Sequence, residues 1–257
     1  MPRFDQHFLA SPETADAIVR AAGLSAGQSV LEIGPGRGAI TGLLLDAGAR
    51  LSAVEIDERL AAGLEERFAG REGFRVVRGD FLELAPEALG DYSKVVANLP
   101  YSVATPILQK LLDLPGWRTA VLMFQKEVAQ RILAEPGQTG YSLLSLSVQA
   151  KAYREWVCGV PKSAFRPPPK VDSGVVRLDR RDKPLIPDEV GEEAFFRIAR
   201  ACFAHRRKRA AKSLAMTLGL DKARAEGAFA ASGLGKDVRA EEIGLEGFLA
   251  LARALKA

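Results

Sequence analysis

This sequence predicts an α/β fold followed by a small all-helical domain, and three observations carry that prediction. Short apolar runs alternate with amphipathic segments through most of the chain, the rhythm of a parallel sheet covered by helices on both faces. A glycine-rich turn, Gly34-Pro35-Gly36-Arg37-Gly38, follows directly on one of those runs. A charged stretch with two prolines, residues 180–187, then separates the alternating portion from a tail with helical periodicity only.

Residues 29–33 read as a buried strand feeding the glycine turn, and 39–47, with leucines at 43, 44 and 45, as the helix that follows. The second strand covers 51–57 and its helix 58–68; the third strand covers 74–80. Residues 95–98 and 120–124 are the next two strands. Residues 153–160 and 174–178 are two further strands that bracket a proline-rich loop; with no helix between them they are expected to pair antiparallel. After the linker, Phe195, Ile198, Ala199, Cys202 and Phe203 recur at steps of three and four, one apolar helix face that Leu214 and Leu218 extend. Residues 221–232 and 245–255 supply two more helices. The domain boundary is accordingly placed between 1–182 and 183–257.

With 257 residues, 47% hydrophobic and 26% charged, the chain has ample material for a packed core. Asp5 and His7 interrupt the start, so no signal peptide is expected. No apolar run approaches the roughly 20 residues of a membrane helix, so no membrane partner is expected. The two cysteines, Cys158 and Cys202, are far apart, and the histidines are His7 and His205. That excludes a zinc site or disulfide framework as an expectation and suits the reducing cytoplasm.

Charge is unevenly placed. Residues 1–180 carry 21 basic and 21 acidic side chains, whereas 181–257 carry 15 and 11. No acid occurs between Phe195 and Leu220, a stretch that holds Arg197, Arg200, Arg206, Arg207, Lys208, Arg209 and Lys212. A basic helix around 206–212 is the expected binding surface for a polyanion, RNA in particular; the bland alternative is a solvated helix face.

A strand that ends in glycines and runs into a helix is a nucleotide-binding device. The spacing Gly34-x-Gly36-x-Gly38 is not the G-x-G-x-x-G of dinucleotide sites, which weakens a nicotinamide dehydrogenase reading. Glu32 stands beside the turn, where a carboxylate repels phosphate and suits a cationic ligand with an amino group, such as S-adenosyl-L-methionine. Glu55, at the end of the second strand, can accept from ribose hydroxyls, and Asp80, at the end of the third, from the adenine amino group. An acid at a strand end is often only a cap. Three of them closing successive strands make a stronger pattern.

The fourth strand runs into Asn98-Leu99-Pro100-Tyr101. There the side-chain amide and the Leu99 carbonyl can accept from an exocyclic amino group, Pro100 keeps that carbonyl out of helical geometry, and Tyr101 can stack on the heterocycle. Phe165, in the proline-stiffened loop, is the candidate for the opposite face of the base. Group transfer onto an exocyclic nitrogen is the chemistry suggested.

Taken in order, Gln6 to Leu9, Leu31 to Gly38, Val54 to Asp57, Gly79 to Phe81, Asn98 to Tyr101, Gln125 to Ala129 and Phe165 to Ser173 resemble the small-subunit ribosomal RNA adenine N6,N6-dimethyltransferases over nearly the whole chain. Two departures stand at the N-terminus: of the family's basic extension only Arg3 is present, and Asp5 replaces a glycine. The resemblance implies a class I methyltransferase fold, Rossmann-like, with a seven-stranded sheet whose last strand is antiparallel, followed by an RNA-binding helical domain. It also implies transfer from S-adenosyl-L-methionine, with S-adenosyl-L-homocysteine as product and no metal, to two adjacent adenosines near the 3′ end of 16S rRNA. The partner would be the small ribosomal subunit or its precursor, met by a monomer. Family cofactor contacts fall on His7, Leu9, Gly34, Glu55, Asp80 and Asn98, and Glu32 and Gly36 join them from the turn. A large-subunit rRNA adenine methyltransferase and a non-catalytic assembly factor of the same fold remain the alternatives.

Overall fold

The computed structural model describes residues 6–256; Arg3 and Asp5 lie outside them. The described residues form two compact units, one made of residues 6–129 together with Tyr153–Arg180, the other of Gln130–Ala152 together with residues 181–256. The expected boundary at 182/183 falls close to the last crossing, at Arg180/Arg181, but residues 130–152, expected in the first domain, group with the second.

In the first unit the strands are β1 (Phe8–Leu9), β2 (Ser29–Ile33), β3 (Arg50–Glu55), β4 (Phe74–Arg78), β5 (Lys94–Asn98), β6 (Thr119–Gln125), β7 (Ala152–Val160), β8 (Phe165–Arg166) and β9 (Ser173–Arg180). Seven of them form one sheet in the order β4-β3-β2-β5-β6-β9-β7. The first five run parallel, and β9 inserts antiparallel to β6. Val30, Leu31, Val95, Val96, Ala97 and the run 120–124 are almost wholly buried, as strands covered on both faces require. The order reverses between β2 and β5, and Ile33 of β2 faces Ala97 of β5. Both strands therefore end side by side at the switch point, where ligands of such sheets bind.

Helices α1 (Pro12–Ala22), α2 (Thr41–Asp46) and α3 (Glu58–Arg67) pack on the sheet, α4 (Pro86–Leu89) and α5 (Ala104–Asp113) flank β5 in the chain, and α6 (Lys126–Leu133) follows β6. Ser11 caps α1 through its side chain, Pro12 opens the helix, and Gly23 closes it with a left-handed φ of 58°. Gly34, Gly36 and Gly38 all have positive φ, so the turn after β2 demands glycine at each. A short antiparallel ribbon, β1 with β8, pairs Leu9 with Phe165.

The second unit is helical: α7 (Leu143–Lys151), α8 (Glu192–Phe203), α9 (Ala210–Leu218), α10 (Lys222–Ala231) and α11 (Leu245–Lys256). Phe195, Phe229 and Phe248 are buried at its centre, with Phe195 edge-on to Phe196 and to Phe248. The apolar period at 195, 198, 199 and 202 is the buried face of α8, as expected.

Candidate active site

A cleft opens over the C-terminal ends of β2, β3, β4 and β5, lined by the glycine turn, Val54–Ile56, Gly79–Phe81, Asn98–Tyr101, Ile107 and the segment Gln6–Leu9. The strand-end residues singled out in the sequence thus meet in one place. A Cβ built on Gly34 would stand 4.0 Å from the Asn98 carbonyl oxygen and from Pro100 Cδ, which measures how closely β2 and β5 bring their ends together. On Gly36 it would press on the Phe8 ring at 3.2 Å.

Glu55 is buried and holds the turn. Its Oε2 accepts from Gly36 N at 3.0 Å and its Oε1 from Asp57 N at 2.9 Å. Each oxygen keeps a further lone pair for a ligand hydroxyl. Burial raises its pKa, opposed by those N–H donors. Asp80 uses Oδ1 to accept from Leu82 N at 2.8 Å, so the cap reading and the site reading both hold for it. The 80–84 loop is fixed from α5: Lys110 Nζ donates to the carbonyls of Phe81, Leu82 and Leu84 at 2.8, 3.0 and 2.7 Å. No sequence signal marks Lys110 for this, because its partners lie a full strand and loop upstream.

Glu32 departs from the expected free carboxylate. It lines the cleft but is only 1% exposed, and Thr41 Oγ1 donates to its Oε2 at 2.7 Å. Desolvation pushes its pKa up to about 8, against the Thr41 bond and with help from the nearby Glu55 charge. At neutral pH it is therefore chiefly a protonated, packed group.

Asn98 Nδ2 donates to the His7 carbonyl at 3.4 Å; its Oδ1 can only accept. The His7 ring lies 5.7 Å from that of Tyr101, tilted by 34°, and its Nδ1 is 2.9 Å from the Pro167 carbonyl. Tyr101 is half-buried, with its hydroxyl 2.7 Å from Ser173 Oγ. Leu9 is buried in the core beneath the cleft.

Phe165 does not meet its expectation as a second stacking face. It is 0% exposed, paired with Leu9 across the β1–β8 ribbon and packed in the same core cluster, so it offers no free ring face in this conformation. The aromatic next to Tyr101 is His7 instead. Sequence reading also missed Ile56, a 40% exposed apolar side chain on the cleft wall directly after Glu55.

The chemistry of this lining fits a cationic nucleoside better than a phosphate ester. Glu55 and Asp80 are acceptors, Ile56, Phe81 and Ile107 are apolar, and Arg37 is the one basic side chain lining the cleft among the described residues. Arg37 in turn stacks on Phe8 at 4.4 Å.

In the second unit the basic run is a turn, not the expected helix. Arg206, Arg207 and Lys208 connect α8 to α9, Arg209 precedes α9, and Lys212 sits in its first turn. The buried Ser213 enforces the break: its Oγ donates to Ala201 O at 2.7 Å and accepts from His205 N at 3.1 Å. Arg206, Arg207 and Lys212 are exposed, and Arg209 pairs with Asp237 at 2.8 Å.

Known proteins resemble this chain over nearly its whole length. The family model described as ribosomal RNA adenine dimethylase matches residues 1–256. A ribosomal RNA small subunit methyltransferase A from Moorella thermoacetica is 41% identical, over 98% of this chain and 91% of that one. The protein of that name from Thermosynechococcus vestitus is also 41% identical, over 99% and 96%. Among solved structures, a dimethyladenosine transferase from Plasmodium falciparum matches with a TM-score of 0.82 at 28% identity, over 95% of this chain and 96% of that one. The 23S rRNA methyltransferase ErmE matches at 0.75 and 30%, over 97% and 100%.

Proposed function

This chain belongs to the ribosomal RNA adenine dimethylase family, and from that premise we propose that it methylates N6 of two adjacent adenosines near the 3′ end of 16S rRNA. Membership makes it an S-adenosyl-L-methionine-dependent rRNA methyltransferase. The proposal extends to a small-subunit or precursor substrate, S-adenosyl-L-homocysteine as product, and action as a cytoplasmic monomer. The observation that carries it is the meeting of the β2 turn with Asn98 at one switch point.

Glu55 and Asp80 would hold the polar edges of the donor nucleoside, and Ile56 and Phe81 would offer it apolar surface. S-adenosyl-L-methionine supplies an electrophilic methyl group on a sulfonium. The N6 lone pair of adenine is delocalised into the ring and needs help to point outward. Asn98 Oδ1 and the Leu99 carbonyl accept the two N6 hydrogens and favour a pyramidal nitrogen. Pro100 fixes the direction of that carbonyl, and Tyr101 supports the base face. Positioning and aligned dipoles provide most of the acceleration; as the N–C bond forms the S–C bond breaks, the sulfonium leaves as a neutral thioether, and the N6 proton is then lost to water. The target base reaches the cleft unstacked. Arg206, Arg207, Lys208, Arg209 and Lys212 hold the RNA backbone. We read the first unit as the site of catalysis and the second as the RNA-binding unit, a reading these residue assignments support.

The deciding experiment incubates hypomethylated small subunits, and separately 23S RNA, with enzyme and donor, and maps modified nucleotides by mass. Dimethyladenosine pairs in 16S rRNA are expected. Modification of 23S RNA alone would move the enzyme to the large-subunit class.

A further inference from the structure

Ser173 closes the Pro-Pro-Pro-Lys-Val-Asp-Ser motif, yet the mechanism above gives it no task. It is fully buried, and its Oγ lies 2.7 Å from the Tyr101 hydroxyl, an ordinary O–H···O length. Its backbone is fixed on every side. It faces Gln125 across the β6–β9 ladder. The preceding Asp172 accepts from Lys126 N through its carbonyl at 2.9 Å and from Lys162 N through Oδ1 at 3.0 Å. The following Gly174 lies under Trp156, where a Cβ would come within 2.5 Å of the ring.

Tyr101 has a different setting. It sits in a turn after β5, half-buried, rather than on a buried strand. The Ser173 hydroxyl ties it. We infer that Ser173 is a positioning residue for methyl transfer, holding the far end of the Tyr101 side chain against swinging about its Cα–Cβ bond and through it fixing the placement of the stacked adenine. This rests on the reading of Tyr101 as the stacking residue. A base that follows a displaced ring moves its N6 away from the line of transfer, and a displacement of about 1 Å costs on the order of 10²-fold in rate. Ser173 is fully buried and does not line the cleft, so its loss acts on turnover and leaves binding alone.

Tyr101→Phe and Ser173→Ala remove the same bond from opposite ends. With hypomethylated small subunits, each is expected to lower kcat by about 10- to 100-fold. KM for the subunit and Kd for S-adenosyl-L-methionine should move by less than about twofold. The double variant should be no worse than the poorer single one, because one bond is lost only once. Undiminished kcat in either single variant, or losses that multiply in the double, would overturn the inference. If Ser173→Ala does not fold, Tyr101→Phe decides alone. Tyr101→Ala separates the two ideas: if it turns over normally, the stacking reading fails, whereas an impaired Tyr101→Ala beside an unimpaired Tyr101→Phe removes Ser173 only. A wild-type enzyme inactive on small subunits would sink the proposed function itself.

Discussion

In the cleft of the first unit, functional groups are held by neighbours. Glu55 takes two backbone N–H groups, Asn98 ties to the His7 carbonyl, and Tyr101 ties to Ser173. In the second unit, Arg206 and Arg207 extend into solvent from a turn between two helices. Methyl transfer depends on fractions of an ångström, so its residues are pinned by strand ends and buried partners. Attraction to a phosphate backbone is summed over roughly a Debye length, about 8 Å in physiological salt, and tolerates side chains that move. Substitutions in the two regions should accordingly fail in different ways: geometry and turnover in one, charge and salt dependence in the other.

The sharpest break is expected at Asn98. Asn98→Ala removes the acceptor aligned with N6 and should lower kcat by about 10³-fold, the scale of losing a preorganised polar group at the reacting centre. RNA affinity in a filter-binding assay should be unchanged. Turnover within tenfold of wild type would remove Asn98 from the mechanism.

Glu32 tests whether the cleft also contains groups that serve packing alone. The unfolded carboxyl titrates near 4.5 and the folded one near 8. Between those values the folded state binds the extra proton, so wild-type stability falls as pH rises through the window and levels off above it. The ceiling of that loss is about 5 kcal/mol, and local relaxation brings the expected gap to about 2–3 kcal/mol. Glu32→Gln keeps the Thr41 partner and abolishes the titration. Urea unfolding should show the variant matching wild type near pH 5 and exceeding it near pH 9. Parallel stability curves would show that Glu32 is ionised and solvated instead.

How much of this was readable from the chain follows the same division. The convergence of Gly34, Glu55, Asp80 and Asn98–Tyr101 on one cleft was legible because each lies at the end of a short strand, and strand ends in such sheets converge whatever the loops do. Phe165 misled because its environment is set by pairing with Leu9, far away along the chain. The Tyr101–Ser173 tie and the Lys110 cap were hidden for the same reason. Helix α1 carried its signals in plain view, Ser11-Pro12 at one end and Gly23 at the other, but its interior lacks the leucine-rich period that marked other helices. The turn at 206–208 was hidden by helix-tolerant residues on both sides; what breaks the helix is Ser213, buried beneath it.

A smaller effect is expected at Glu55, where the structure adds to the sequence reading. Glu55→Gln replaces one acceptor oxygen with an amide N–H that faces a backbone N–H. One buried donor is then unsatisfied, at about 1–3 kcal/mol. Isothermal titration should show S-adenosyl-L-methionine affinity down by about 10- to 100-fold, with RNA affinity intact. Equal affinities would confine Glu55 to shaping the turn.

The mildest effect at low salt is expected in the second unit, and it bears most directly on the contrast. Replacing Arg206, Arg207 and Arg209 with Ala should leave donor affinity and kcat at saturating RNA unchanged. RNA affinity should drop mainly through its salt dependence, because each lost phosphate contact lowers the slope of log K against log salt by somewhat under one. The three sites are not equivalent. Arg209 already spends its charge on Asp237, whereas Arg206 and Arg207 are exposed in the turn. The slope should therefore fall by nearer two than three, and Arg209→Ala alone should change it least. An unchanged slope in the triple variant returns the turn to the role of a solvated surface. A large fall in kcat at saturating RNA would mean that this turn, too, sets geometry, and the contrast between pinned chemistry and mobile charge would no longer describe the protein.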